Sequence, residues 1–288
     1  MLQISSDMVA ILSLGVTSMH SFPIRTTGQL FLHSCLHLLG LQRSAFTIAI
    51  RLNIQLTFFI ISEMLEVCID SLESAINAIH GGADELEICS SLPEGGLTPS
   101  PGLVKEVLTG SDFCYTQEEM DTMLSDITTY KAMNVDRFVF GALTDTQELH
   151  EEYCAKVIEK TYPIPVTFHR AFDLCRDPEI ALEKIVLFGF SRVLTSGQQI
   201  SAENNDAIQL IESLLQLYGD KIQIMPGAGV NISNAKIFIE LGCDIIHSSC
   251  KSVRQLVRVE NELGMGTSQL YVTDENVVRN TKAIIRRT

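Results

Sequence analysis

From Met64 onward, short apolar runs alternate with amphipathic stretches. The runs 65–69, 85–89, 137–141, 165–169, 192–195, 222–225 and 244–247 read as strands. The stretches 72–80, 101–108, 117–133, 147–160, 178–188, 202–218 and 233–241 read as helices. Gly81 and Gly82 stop the first of these, as glycine commonly does at a helix end. Strands that alternate with helices predict a parallel sheet with crossover helices.

A slower beat overlies this alternation. Gly82-Ala83-Asp84, Asn134-Val135-Asp136, Gly189-Phe190-Ser191 and Gly242-Cys243-Asp244 each end a helix and open a strand, with starts 52, 55 and 53 residues apart. Each interval holds two β-α units, so the four marks imply eight strands and a (β/α)8, TIM-type barrel. An open doubly wound sheet is the alternative, but it has no reason to carry a fourfold beat. One strand is missing from the pattern. Between the second strand and Asn134, the segment Thr109–Tyr115 has no run of four apolar residues. The third strand of the barrel is therefore expected to be absent, leaving a gap unless another segment substitutes. Residues 56–61 are apolar enough to be considered for that place.

The first 63 residues differ from the rest. They hold no lysine, three arginines and two acids, against 18 bases and 33 acids from Met64 onward. Their apolar stretches are broken by Arg25, Arg43 and Arg51, and the run at 52–62 is short of the ~20 residues a membrane span needs. No basic region precedes the apolar run at 8–16, so a signal peptide is disfavoured. Residues 1–63 are read as an N-terminal extension outside the main domain, poorly ordered or an artefact of the gene model, and residues 64–288 as the domain itself.

Composition narrows the partners. The formal charge of −14 disfavours nucleic acid and an anionic membrane surface. Eight cysteines are scattered without a C-x-x-C pair, which excludes zinc ribbons and suits buried thiols in a reducing cytoplasm.

Candidate chemistry sits at strand ends. Glu66 and Cys68 share a face of the first strand, and Glu87 and Cys89 share a face of the second. Two thiolates on adjacent strands suit Cu(I), although buried cysteine also packs as a small hydrophobe. Glu66 and Glu87 are costly inside apolar strands unless paired or functional. His169 and Arg170, with Asp173 beyond them, end the fifth strand, and His247 ends the eighth. These residues are tentative acid-base groups for a barrel enzyme. The turns holding Ser196, Gly197, Gly227 and Gly229 are tentative anion sites, since a glycine-rich turn opening a helix presents backbone N–H groups. A plain tight turn explains the same glycines.

Several motifs in fixed order resemble the CutC copper homeostasis family: Glu66-Val-Cys-Ile-Asp-Ser, Gly81-Gly-Ala-Asp, Glu94-Gly-Gly-Leu-Thr-Pro-Ser, Phe140-Gly-Ala-Leu-Thr, Pro165-Val-Thr-Phe-His-Arg-Ala-Phe-Asp, Val193-Leu-Thr-Ser-Gly and Met225-Pro-Gly-Ala-Gly. The resemblance covers about Met64 to Thr288. It implies a cytoplasmic barrel, usually self-associating, with a role in copper handling and copper-binding cysteines at Cys68 and Cys89. It also marks a departure. The family's third strand ends in an Arg-Pro-Arg-Gly-Gly-Asp-Phe type motif, of which only Ser111-Asp112-Phe113 remains. Three readings follow: a copper-homeostasis protein with Cu(I) on paired cysteines, a barrel enzyme acting on a small anionic metabolite, and a defective splice isoform.

Overall fold

A computed structural model describes residues 2–5, 63–89, 113–255 and 269–286 of the chain. The expected helix at 101–108, the turn at 94–100 and the run at 56–61 lie outside the described residues.

The parallel strands are β2 (Met64–Ile69), β3 (Glu85–Ile88), β4 (Arg137–Phe140), β5 (Val166–Phe168), β6 (Arg192–Thr195), β7 (Gln223–Pro226) and β8 (Ile245–Ser248). They alternate with α1 (Leu72–Gly81), α2 (Gln117–Ala132), α3 (Glu151–Thr161), α4 (Pro178–Phe188), α5 (Asn205–Tyr218) and α6 (Ala235–Leu241). The sheet order is β7-β6-β5-β4-β1-β3-β2-β8, where β1 is Leu2–Ser5. The two end strands, β7 and β8, lie alongside each other, so the sheet curls into the barrel expected from the sequence.

The place of the missing third strand is taken by β1. It runs antiparallel to both neighbours, with Leu2 opposite Ile88 on one side and Phe138 on the other. The expected gap between β3 and β4 is therefore bridged by β1. An unpaired pair of edges would expose rows of backbone N–H and C=O groups. Four residues suffice because both flanking strands are themselves four residues long.

The local chemistry of the helices explains the fourfold beat. Gly82, Asn134, Gly189 and Gly242 all have positive φ, at 90, 58, 89 and 110°, each just beyond the end of its helix. A left-handed residue there lets the chain reverse and the next strand begin. At helix starts, Thr116 and Glu119 form a reciprocal capping box, and Asp177 accepts from Glu179 and Ile180 ahead of Pro178. The inner faces carry apolar residues at helical spacing, such as Ala207, Ile211 and Leu214 of α5, all buried. Each such leucine or isoleucine contributes on the order of 1.5–3 kcal/mol through burial.

After β8 the chain adds elements the periodicity did not suggest: an antiparallel hairpin, β9 (Lys251–Gln255) with β10 (Gln269–Thr273), and a final helix α7 (Glu275–Ile285). This helix anchors the start of the barrel. Lys282 donates to the Glu63 carbonyl at 2.7 Å and pairs with Asp84, whose carboxylate also accepts from the Leu65 N–H at 2.7 Å.

The inserted strand yields a test. Proline cannot donate to a ladder and is confined to edges. Gln3 faces Glu87 and Arg137 in the two ladders. Gln3→Pro is expected to lower the melting temperature by several degrees and to promote self-association, read by calorimetry and light scattering. A melt identical to the parent's would mean that β1 contributes nothing to closure.

Candidate functional site at the barrel mouth

The barrel interior carries buried charged residues from β2, β3, β6 and β8. In the β2–β8 register Glu66 stands opposite His247, and in the β2–β3 register it stands opposite Glu85. The Glu66 carboxylate is 1 % exposed and binds on both oxygens. One oxygen lies 2.6 Å from His247 Nδ1, and the other accepts from an Arg192 terminal nitrogen at 3.2 Å. Arg192, equally buried, also pairs with Glu85 at 2.7 Å and donates through Nε to Gln223 at 2.6 Å. Arg192 escaped the sequence analysis, although an arginine opening an otherwise apolar strand was the available signal.

One step toward the strand ends, Cys68 stands opposite Glu87. The Cys68 thiol, a Glu87 carboxylate oxygen and a His247 ring nitrogen lie within 4.8 Å of one another, and all three residues are buried. His247 Nε2 is 3.7 Å from Glu87. Burial alone would push the His247 imidazole down, but Cys68 and Glu66 reverse this and hold its pKa well above the ordinary value. Burial raises the Glu87 carboxyl, His247 opposes the rise, and Glu66 adds to it. The cluster can therefore hold and exchange a proton, and it offers sulfur, nitrogen and oxygen donors at one point.

Cys89 follows β3 directly. Its N–H donates to the Ile69 carbonyl at 2.8 Å, which continues the ladder one step past Glu87. The thiol is buried and lies outside the Cys68–Glu87–His247 group. Burial pushes this thiol far up, and the neighbouring Glu87 and Cys68 push it further.

His169 and Arg170 lie apart from these residues in the hydrogen-bond pattern. His169 caps the short 3-10 turn Arg170–Leu174, accepting from the Ala171 N–H at 3.2 Å, and packs against Phe113 with ring centroids 4.7 Å apart. Burial lowers its pKa to about 3, so it is neutral at physiological pH. Arg170 donates to Asp173 at 2.8 Å and to the Ser196 hydroxyl at 2.9 Å.

Asp173 organises the turn that was expected to bind an anion. Its carboxylate accepts from the Thr195 hydroxyl at 2.6 Å, the Ser196 N–H at 3.0 Å, the Ser196 hydroxyl at 2.8 Å and the Gln198 N–H at 3.2 Å. The Gly197 N–H donates to Thr195 Oγ1 and the Gly227 N–H to the Thr195 carbonyl, both at 2.9 Å. These donors are thus engaged within the protein, with the side chain of Asp173 as the main internal anion. Gly227 matters for another reason. A Cβ there would meet Leu194 at 2.5 Å and crowd His247, so its absence lets β7 lie against the histidine. Gly229 sits beyond it, its carbonyl accepting from Asn231 and Asn234.

Strand order and alternating helices define an α/β barrel, and its interior holds a buried cluster of charged side chains. The family model described as the CutC family matches residues 63–252. The chain is 39 % identical over 245 residues to the human copper homeostasis protein cutC homolog, covering 77 % of this chain and 89 % of that protein. Its Caenorhabditis elegans counterpart is 39 % identical over 240 residues, covering 77 % and 94 %. The solved structure of CutC from Streptococcus agalactiae superposes with a TM-score of 0.59 at 26 % identity, covering 65 % of this chain and 98 % of that one. The chain belongs to the CutC family. Among the described residues, no helix is long and apolar enough to cross a membrane.

The two histidines make opposite contributions to pH dependence, and His169 can be isolated. Its folded pKa, about 3, lies below the unfolded 6.5. The unfolded chain therefore takes up the proton first, and stability falls as pH drops below about 6.5, by roughly 2 kcal/mol at pH 5. His169→Asn keeps an acceptor for the Ala171 N–H and removes this proton uptake. Urea melts between pH 7 and 5 are expected to show a shallower loss of stability than in the parent. Parallel pH profiles would show that the His169 proton is not the source.

Asp173→Asn removes the charge that collects five donors. Hydrogen bonds to a charged acceptor contribute about 1.5–3 kcal/mol each, so a loss of at least about 3 kcal/mol is expected in denaturant melts. A change below about 1 kcal/mol would show that the turn holds without the charge.

Proposed function

We propose that this chain takes part in copper homeostasis by holding Cu(I) on Cys68 and Cys89. The observation that carries the reading is the placement of two buried cysteines, neither in a disulfide, one on β2 and the other directly after its hydrogen-bonded neighbour β3. Membership of the CutC family, whose human and nematode members are named copper homeostasis proteins, supports it. Cu(I) favours soft, low-coordinate thiolate sites, and reduced cysteines accord with action in the cytoplasm. The domain that does this work spans residues 64–288, with β1 completing its sheet.

Copper must displace thiol protons, and burial holds the Cys89 proton tightly. Affinity is therefore expected to rise with pH across the neutral range. Competition against a Cu(I) chelator tests the reading. The parent is expected to bind one ion per chain, Cys68→Ser and Cys89→Ser each to weaken binding about tenfold or more, and the double variant to lose it. Binding unaffected by both substitutions would sink the copper reading and return attention to the alternative, a barrel enzyme acting on a small anionic metabolite through Glu66, Glu87, His169, Arg170 and His247.

A further inference from the structure

We infer a second metal-binding mode at the barrel mouth: Cys68, His247 and Glu87 form a three-ligand site for a borderline divalent cation such as Zn(II). The inference rests on reading Cys68 as a metal ligand, but not on copper as the ion or Cys89 as its partner.

The donor set comes first. A thiol, an imidazole nitrogen and a carboxylate oxygen lie within 4.8 Å of one another in a buried position. A mixed sulfur, nitrogen and oxygen set suits Zn(II), whereas Cu(I) favours sulfur alone. Tetrahedral bonds of ~2.0–2.3 Å place ligand atoms about 3.3–3.6 Å apart. The separation of His247 Nε2 from Glu87, 3.7 Å, is already close to that edge. Small side-chain rotations close the remainder.

The second argument is independent of the donors. A metal-bound histidine usually holds its other ring nitrogen against a carboxylate, which fixes the ring and its tautomer. His247 Nδ1 lies 2.6 Å from Glu66, and Glu66 is held from behind by Arg192. This leaves Nε2 facing Glu87, with the Cys68 thiol in the same group. The orienting partner is thus in place on one side of the ring, and candidate ligands lie on the other. The three ligands come from three adjacent strands, β8, β2 and β3, so the sheet register sets their spacing. Three protein ligands leave a fourth position for a water or an anionic oxygen.

Titration of the metal-free full chain with Zn(II), and with Co(II) as the spectroscopic probe, tests this. One Zn(II) per chain is expected. Co(II) should show a tetrahedral visible spectrum with charge transfer from one thiolate. Cys68→Ser should abolish binding, and Glu87→Gln and His247→Gln should each weaken it about tenfold or more. Cys89→Ser should bind as the parent does. Circular dichroism of each variant separates ligand loss from unfolding, and Glu87→Gln serves where His247→Gln fails to fold. A site that needs Cys89 and ignores Glu87 and His247, two-thiolate charge transfer, or no Zn(II) binding would each overturn the inference. Because the copper reading requires Cys89 and this one requires His247 and Glu87, the two can fail separately.

Discussion

The buried Glu66 carboxylate is the constraint on which the rest of the site depends. It ties β2 to β6 through Arg192 across the barrel and to β8 through His247 alongside. Removing either cationic partner would leave a charge in the barrel wall with no solvent to share it, a loss on the order of 3–5 kcal/mol. The cluster also reaches Glu85 and Gln223, so a single guanidinium links four strands. Such a network adds little net stability over an apolar core of the same shape. Its effect is directional, since it fixes where the His247 ring points and which nitrogen is left over.

That orientation would mean little if the strands could slide. The barrel holds its register through short parallel ladders, except at the third position. There, four residues from the beginning of the chain run against the direction of every other strand. An antiparallel strand can occupy a slot between two parallel ones because its hydrogen-bonding groups alternate along both edges. It cannot, however, deliver a side-chain loop to the barrel mouth as a parallel strand followed by a β-α turn would. The substitution thus restores the ladder without restoring the Arg-rich motif that the family resemblance attaches to that strand. Sheet closure and mouth chemistry, usually delivered by one segment, are separated in this chain.

The sequence displayed most of the architecture and about half of the site. Among the described residues, the strands and helices from Met64 to Leu241 were legible because their periodicities differ and four helix ends are marked by left-handed residues. The deficit at the third strand was legible for the same reason. Its substitute was not, since a four-residue antiparallel insertion leaves no periodic trace and pairs across more than eighty residues of chain. Glu66, Cys68, Glu87 and His247 were each visible as polar residues in apolar strands. Arg192 was overlooked because an arginine at a strand start usually reads as solvent-facing. Asp173 was seen, but only as a companion of His169 and Arg170. That it fills the turn at Ser196 from inside depends on side-chain direction, which sequence spacing does not encode.

The most informative detail is a one-step offset. Cys68 and Cys89 are natural partners when the two strands are written one above the other by motif. The β2–β3 register instead sets Cys68 against Glu87 and carries Cys89 one ladder step further. Cys68 consequently has two neighbourhoods. Along the sheet toward Cys89 it offers a soft ion a second thiol. With His247 on β8 and Glu87 on β3 it would offer a harder ion nitrogen and oxygen. Under the two metal proposals, ions would be distinguished by which neighbour the shared Cys68 serves, and the register of β8, β2 and β3 sets those neighbours.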